Sequence, residues 1–157
     1  RFTAGKRLVH AELPGTEETS HGLQLWVNLP QRLKEIEPDY QQVPSDEIPE
    51  KEADGVRIRT VVGQGSPVAL HTAVRYVDVT VEPEAVFRDT IPEDWNGFVY
   101  VLKGEVALNE RKVARGKALT FRGGGALRAT APETSRFVLI AGAPHEETIR
   151  QRGSFVR

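Results

Sequence analysis

The chain has 157 residues, enough for one full domain and part of another. Charged residues make up 27% and the formal net charge is -1, so no domain-wide basic field exists to hold a phosphate backbone, and direct nucleic-acid binding is not expected. The absence of cysteine excludes disulfides, thiolate catalysis and Cys-ligated zinc or iron–sulfur centres, and no apolar run approaches the roughly 18 residues of a membrane-spanning helix.

A chain that opens on Arg1 and contains no Met is expected to be trimmed, cleaved or partial. Residues 2–13 read as a turn at Gly5 and then a strand. In that strand Leu8, His10 and Glu12 share one face, because side chains alternate with period two. A polar loop from Pro14 to Gly22 follows. Leu23–Leu29 is apolar at its odd positions and is expected to be a strand. Pro30 opens a segment with Leu33 and Ile36 at helical spacing, which suits one or two turns of helix. From Glu37 to Gly55 the chain is acidic and carries Pro38, Pro44 and Pro49, which predicts an extended linker on the surface.

Val56–Val62 and Val74–Val81 then alternate as strands, with turns at Gly63–Pro67 and Glu82–Glu84. Phe98–Leu108 is the most apolar stretch and is expected to form a buried hairpin reversing at Gly104, entered through the loop Asp94–Gly97. Short strands continue at Lys112–Ala114, Ala118–Phe121, Leu127–Ala131 and Arg136–Ala141. Short strands separated by turn residues predict an all-β barrel or sandwich.

The order of these features repeats. Phe2–Glu12 can be laid on Phe121–Ala131, with Phe, Gly and Leu coinciding. His21–Pro30 can be laid on Ser135–Pro144, apolar at matching positions and ending in Pro. On this reading residues 1–30 close a first barrel and 56–144 form a second.

His10-x-Glu12 is the leading candidate site. Imidazole and carboxylate leaving one face of a strand can converge on one ion, and with open positions they suit non-haem Fe(II). A bare H-x-E is also what a surface polar pair looks like. The repeat sharpens the choice, because the equivalent positions Ala129 and Ala131 are small residues fit for a barrel interior, and an inward His and Glu need a partner there. His71 is expected at the rim, His21 in a loop and His145 in solvent. Trp26 and Trp95 are expected in the core rather than in a pocket. Gly123–Gly125 reads as a turn, since no helix with Lys-Ser or Lys-Thr follows. Asp46–Glu52 reads as a solvated acidic run.

Thr3–Pro14 with Gly22–Leu29 closely resembles the pirin family of the cupin superfamily. The resemblance continues through Glu47–Pro49, Ile91-Pro92, Phe98–Tyr100, Gly104, Phe137–Gly142 and Gly153–Val156. It implies a bicupin, two antiparallel jelly-roll barrels in one chain. The expected division is 1–36 as closing strands of an incomplete N-terminal metal barrel, 37–55 as linker, and 56–157 as the C-terminal cupin barrel. The family's single iron is held by three histidines and a glutamate, of which the third histidine and the glutamate map onto His10 and Glu12. The other two form an H-x-H pair upstream of anything in this sequence. In the second barrel the matching positions, counted back from Gly104, are Thr90 and Pro92. With Ala129 and Ala131 they predict a metal-free C-terminal barrel. The resemblance implies either quercetin 2,3-dioxygenase chemistry on a flavonol-like substrate with Fe(II) and O2, or iron-dependent binding to a transcription-regulator protein. It also implies a cytoplasmic location, or a nuclear one in a eukaryote. Two ligands hold Fe(II) poorly, so this chain alone is expected to be inactive. Its open N-terminal strands are expected to be completed by another chain, to dimerise, or to be poorly ordered.

Overall fold

Nearly all the regular structure is β. A computed structural model describes residues 1–6, 8–11 and 21–153, and the backbone of 155 and 156. In chain order the strands are β1 (Phe2–Thr3), β2 (Asp39–Tyr40), β3 (Glu50–Ala53), β4 (Val56–Val62) and β5 (Val74–Val81). Then come β6 (Phe87–Ile91), β7 (Asn96–Lys103), β8 (Glu105–Leu108), β9 (Arg111–Ala114) and β10 (Ala118–Phe121). The last are β11 (Gly125–Thr130), β12 (Ser135–Gly142), β13 (Gln151–Arg152) and β14 (Phe155–Val156). Two short 3-10 turns stand at Gln31–Leu33 and Ser45–Glu47. Among the described residues no helix is long and apolar enough to cross a membrane. The contacts group into two units, residues 1–42 with 145–157, and residues 43–144.

The unit of residues 43–144 is a cupin jelly roll, as the strand pattern and the resemblance predict. A six-stranded sheet in the order β10-β7-β12-β5-β4-β3 faces a four-stranded sheet in the order β6-β11-β8-β9. The alternation of each strand explains the core. Val77, Val79 and Val81 of β5, Val99 and Val101 of β7, and Phe137 and Leu139 of β12 are fully buried. They meet Phe87, Ile91, Val106, Leu108, Leu127 and Ala129 from the other sheet. The Phe87 and Phe137 rings, one from each sheet, pack edge to face with centroids 5.5 Å apart.

Phe98–Leu108 is buried as expected, but it is not a hairpin. β7 and β8 belong to different sheets. The register between β7 and β12 shifts after Lys103↔Arg136, leaving Leu102 as the extra residue of a bulge. Gly104 follows at φ +73. Bulge and glycine together turn the chain out of one sheet and into the other. A Cβ on Gly104 would strike the Ser135 hydroxyl, so glycine is also required by close approach. Gly in an apolar run marks a hairpin or a corner equally well, and only the pairing decides between them.

The real hairpins are shorter. Asp54-Gly55 joins β3 to β4 and Asn109-Glu110 joins β8 to β9, each as a two-residue loop with both φ values positive. That is the type I′ geometry that Asp-Gly and Asn favour. The first of them lies in the stretch read as linker, which in fact carries β2, a 3-10 turn and β3.

The other unit has little regular structure. β1 pairs with β2, and β13 with β14. Neither 8–11 nor Leu23–Leu29 is a strand, although both alternate. A strand exists only through ladder hydrogen bonds to a neighbour, and none of the described strands runs beside them. Trp26, expected in a core, is 65% exposed for the same reason.

Candidate functional site

His10 is positioned by the turn before it. Phe2 pairs with Tyr40 and Thr3 with Asp39. Arg1 ties the same two segments, its guanidinium Nη2 lying 2.5 Å from Asp39 and its carbonyl accepting from the Gln41 N–H at 2.9 Å. Gly5 then turns at φ +51, and the Lys6 N–H donates to the Ile36 carbonyl at 2.9 Å. A Cβ on Gly5 would collide with that same carbonyl. The reversal brings the His10 ring back over Phe2, stacked with centroids 4.7 Å apart and planes 15° apart. Phe2 packs in turn on Tyr40 at 4.9 Å. His10 is exposed, and it stands outside any strand. Glu12 lies outside the described residues, so its approach to His10 is not described.

The donor chemistry suits an iron ion, but the described residues do not complete a donor set. Imidazole is a borderline ligand and carboxylate a hard one, a mixture that suits Fe(II) with open positions. Among the described residues no three His, Asp or Glu side chains gather where they could hold a metal. The described residues therefore supply one imidazole and no complete site, and no chemical step through iron follows from them.

His21 and His71 are exposed. His145, expected in solvent, is half-buried, with Nε2 2.8 Å from the Asn28 carbonyl oxygen. Lys34 Nζ donates to Asn28 Oδ1 at 2.7 Å, so Asn28 is held from both ends. Trp95 packs against the core as expected.

In the jelly roll the counted-back positions Thr90 and Pro92 are exposed. The side chains of β6 that face inward are Phe87, Asp89 and Ile91, alternating with exposed Arg88 and Thr90. Asp89, which sequence reasoning missed, bonds Arg75 of β5 through Oδ2 at 2.6 Å, so it ties the two sheets. The alternation Phe-x-Asp-x-Ile was the available signal. Ala129 and Ala131 are buried, as small interior residues should be.

The outer face of the six-stranded sheet holds a second ionic group. Arg136 binds Asp78 in a fork, Nε to Oδ1 at 2.9 Å and Nη2 to Oδ2 at 2.5 Å. The hydrogen bond to Asp78 raises the Arg136 pKa further. Tyr76 lies beside them, and burial, reinforced by the Asp78 charge, pushes its phenol above the ordinary value.

Comparison with known proteins decides the family. The profile of the pirin C-terminal cupin domain matches residues 76–157. The chain belongs to the pirin family. Human pirin is 37% identical over 165 residues, which cover 99% of this chain and 57% of that protein. A pirin-like protein of Arabidopsis thaliana is 38% identical over 173 residues, 99% of this chain and 56% of that one. The chain thus spans a little over half the length of the pirins it matches. The crystal structure of quercetin 2,3-dioxygenase from Acinetobacter baumannii aligns with a TM-score of 0.77 at 25% identity, covering 83% of this chain and 48% of that one. A crystal structure from Geobacillus kaustophilus aligns at 0.72 with 32% identity, covering 78% of this chain and 54% of that one.

Proposed function

We propose that this chain is part of a pirin-type iron cupin, with His10 and Glu12 as two of the Fe(II) ligands and flavonol 2,3-dioxygenation as the activity of the whole protein. The observation that carries the reading is the likeness to quercetin 2,3-dioxygenase of Acinetobacter baumannii over 83% of the chain, joined to pirin identities of 37% over nearly all of it. The donor types support it, since imidazole and carboxylate together suit Fe(II) with open positions. The jelly roll of residues 43–144 has a packed apolar interior, so its part in the proposal is structural. The remaining iron ligands come from outside this sequence.

The test is iron retention. The whole protein is incubated anaerobically with Fe(II), passed through gel filtration and analysed for metal, beside its His10→Ala and Glu12→Ala variants. A protein assembled with its remaining ligands should hold about one iron per chain and lose it in either variant, because a stable site needs about three protein ligands. The same protein should consume O2 with a flavonol. Full iron retention in both variants would remove His10 and Glu12 from the site, and retention without flavonol turnover would remove the dioxygenase reading.

A further inference from the structure

The outer face of the four-stranded sheet carries an arrangement that packing does not require. β6 and β11 run antiparallel with Arg88 directly opposite Arg128. Both arginines are exposed, on the face turned away from buried Phe87, Ile91, Leu127 and Ala129. Like charges directly opposite across a ladder are destabilising. Among the described residues neither guanidinium has an ion pair or a side-chain hydrogen bond. The carboxylate between them in sequence cannot serve. Asp89 Oδ2 takes Arg75 at 2.6 Å, and Oδ1 takes the Thr90 backbone N–H at 2.8 Å.

Beside the pair the sheet surface dips. Ala126 stands opposite Thr90 in the neighbouring row. These short side chains leave an open depression lined by Arg88, Asp89, Thr90, Ala126, Leu127 and Arg128. Its wall is held firmly. Asn109 Oδ1 accepts the Arg128 N–H at 2.8 Å, while Asn109 Nδ2 donates to the Ala126 carbonyl at 3.1 Å. The Asn109 N–H also donates to the Arg128 carbonyl at 2.8 Å. One turn residue thus clamps β11 on both sides of Leu127.

We propose that this cradle binds the terminal phosphoryl group of a phosphomonoester. The inference stands apart from the iron site. Guanidinium forks match phosphate oxygens with paired N–H donors. A monoester carries a charge of about -1.5 to -2 near pH 7, enough to neutralise both arginines, whereas a single carboxylate leaves one uncompensated. The Thr90 hydroxyl stands on the same face and supplies a further donor. The depression is open, so the rest of the ester projects into solvent. A small metabolite ester and a phosphorylated side chain present the same group.

The test is a titration of the whole chain with phenyl phosphate and, separately, with a phosphoserine peptide, followed by calorimetry and by the arginine side-chain NMR signals. Saturable shifts are expected at Arg88 and Arg128. Arg88→Ala or Arg128→Ala should weaken binding by about tenfold or more, and Arg88→Lys, which keeps charge and loses the fork, by a few-fold. Lys112→Ala, on the same sheet face and paired with Glu105, should leave binding unchanged. Equal affinities assign the site to small esters, and a clear preference for the peptide assigns it to a phosphorylated segment. The thermal midpoint of both alanine variants should stay or rise, because a like-charge contact is relieved. Absence of saturation by about 10 mM of either probe overturns the proposal. So does calorimetric binding that persists undiminished when both arginines are replaced.

Discussion

Two segments with the same pattern behave in opposite ways. Ser135–Gly142 and His21–Leu29 share apolar alternation and a closing proline. The first is β12, bonded to β5 on one side and β7 on the other, with Phe137 and Leu139 fully buried. The second lies outside any sheet, with Leu23 46% and Trp26 65% exposed. The difference teaches that alternation states a capacity. A strand forms only where a neighbour accepts its hydrogen bonds and a facing layer accepts its apolar side. The same holds at the candidate site. Ala129 sits between Phe87 and Leu108 in a ladder, while His10, its counterpart in the repeat, stands outside one.

Hydrogen exchange tests this comparison with the largest expected effect. Amides of residues 136–141 should exchange only through global unfolding, and those of 23–29 nearly as fast as an open chain. The gap should be at least about 10³-fold, given typical domain stabilities. Comparable protection in the two segments would mean that 21–30 has found a ladder, and the contrast would fail.

Side-chain deletion should follow the same division. Phe137→Ala removes a buried ring and its edge contact with Phe87, so urea unfolding should report a loss of about 3–5 kcal/mol. Trp26→Ala should stay within about 0.5 kcal/mol, as exposed substitutions do. The two tryptophans separate the signals, since Trp95 packs on the jelly-roll core and Trp26 does not. A large cost at Trp26 would show that its face is covered in solution.

Much of the jelly roll was legible beforehand, and for a definite reason. β4, β5, β10 and β12 announce themselves by alternation within a few residues of their observed ends. β6 did not, because the polar run Arg88, Asp89 and Thr90 leaves only Phe87 and Ile91 to mark it as a buried strand. The corner at Gly104 was invisible, because a sequence carries no record of which strand lies alongside. At the candidate site the His10-x-Glu12 spacing was legible, but its geometry was not. Phe2 stacking on His10 depends on Gly5 and the Ile36 carbonyl, thirty-odd positions apart in the chain. Arg88 facing Arg128 likewise needs the pairing of β6 with β11.

The corner itself can be tested against a matched control. Gly104 and Gly116 share φ +73, but a Cβ on Gly116 meets nothing within 4 Å, whereas one on Gly104 meets Ser135. Gly116→Ala should cost about 1–2 kcal/mol, from left-handed backbone alone. Gly104→Ala should cost about 1–3 kcal/mol more, because Ser135 Oγ, which bonds the Glu133 carbonyl at 2.9 Å, is displaced and left unsatisfied. Equal costs would mean that the corner is held by conformation and not by close approach.

The smallest expected effect lies on the outer face of the six-stranded sheet. Burial raises the Tyr76 phenol, Asp78 raises it further, and Arg136 partly offsets both. An unfolded tyrosine ionises near pH 10. Above that pH the unfolded chain releases the proton while the folded chain keeps it. The stabilisation is therefore complete below about pH 10 and is lost as pH rises through the folded value. Tyr76→Phe should remove this share of the alkaline loss and move the midpoint of base-induced unfolding slightly upward, leaving stability at neutral pH little changed. The ring is half-exposed, so solvent screening keeps the displacement small. An unmoved midpoint would mean that Tyr76 ionises in the folded state as readily as in the unfolded one, with the sheet face around it more open than its packing beside Asp78 and Arg136 implies.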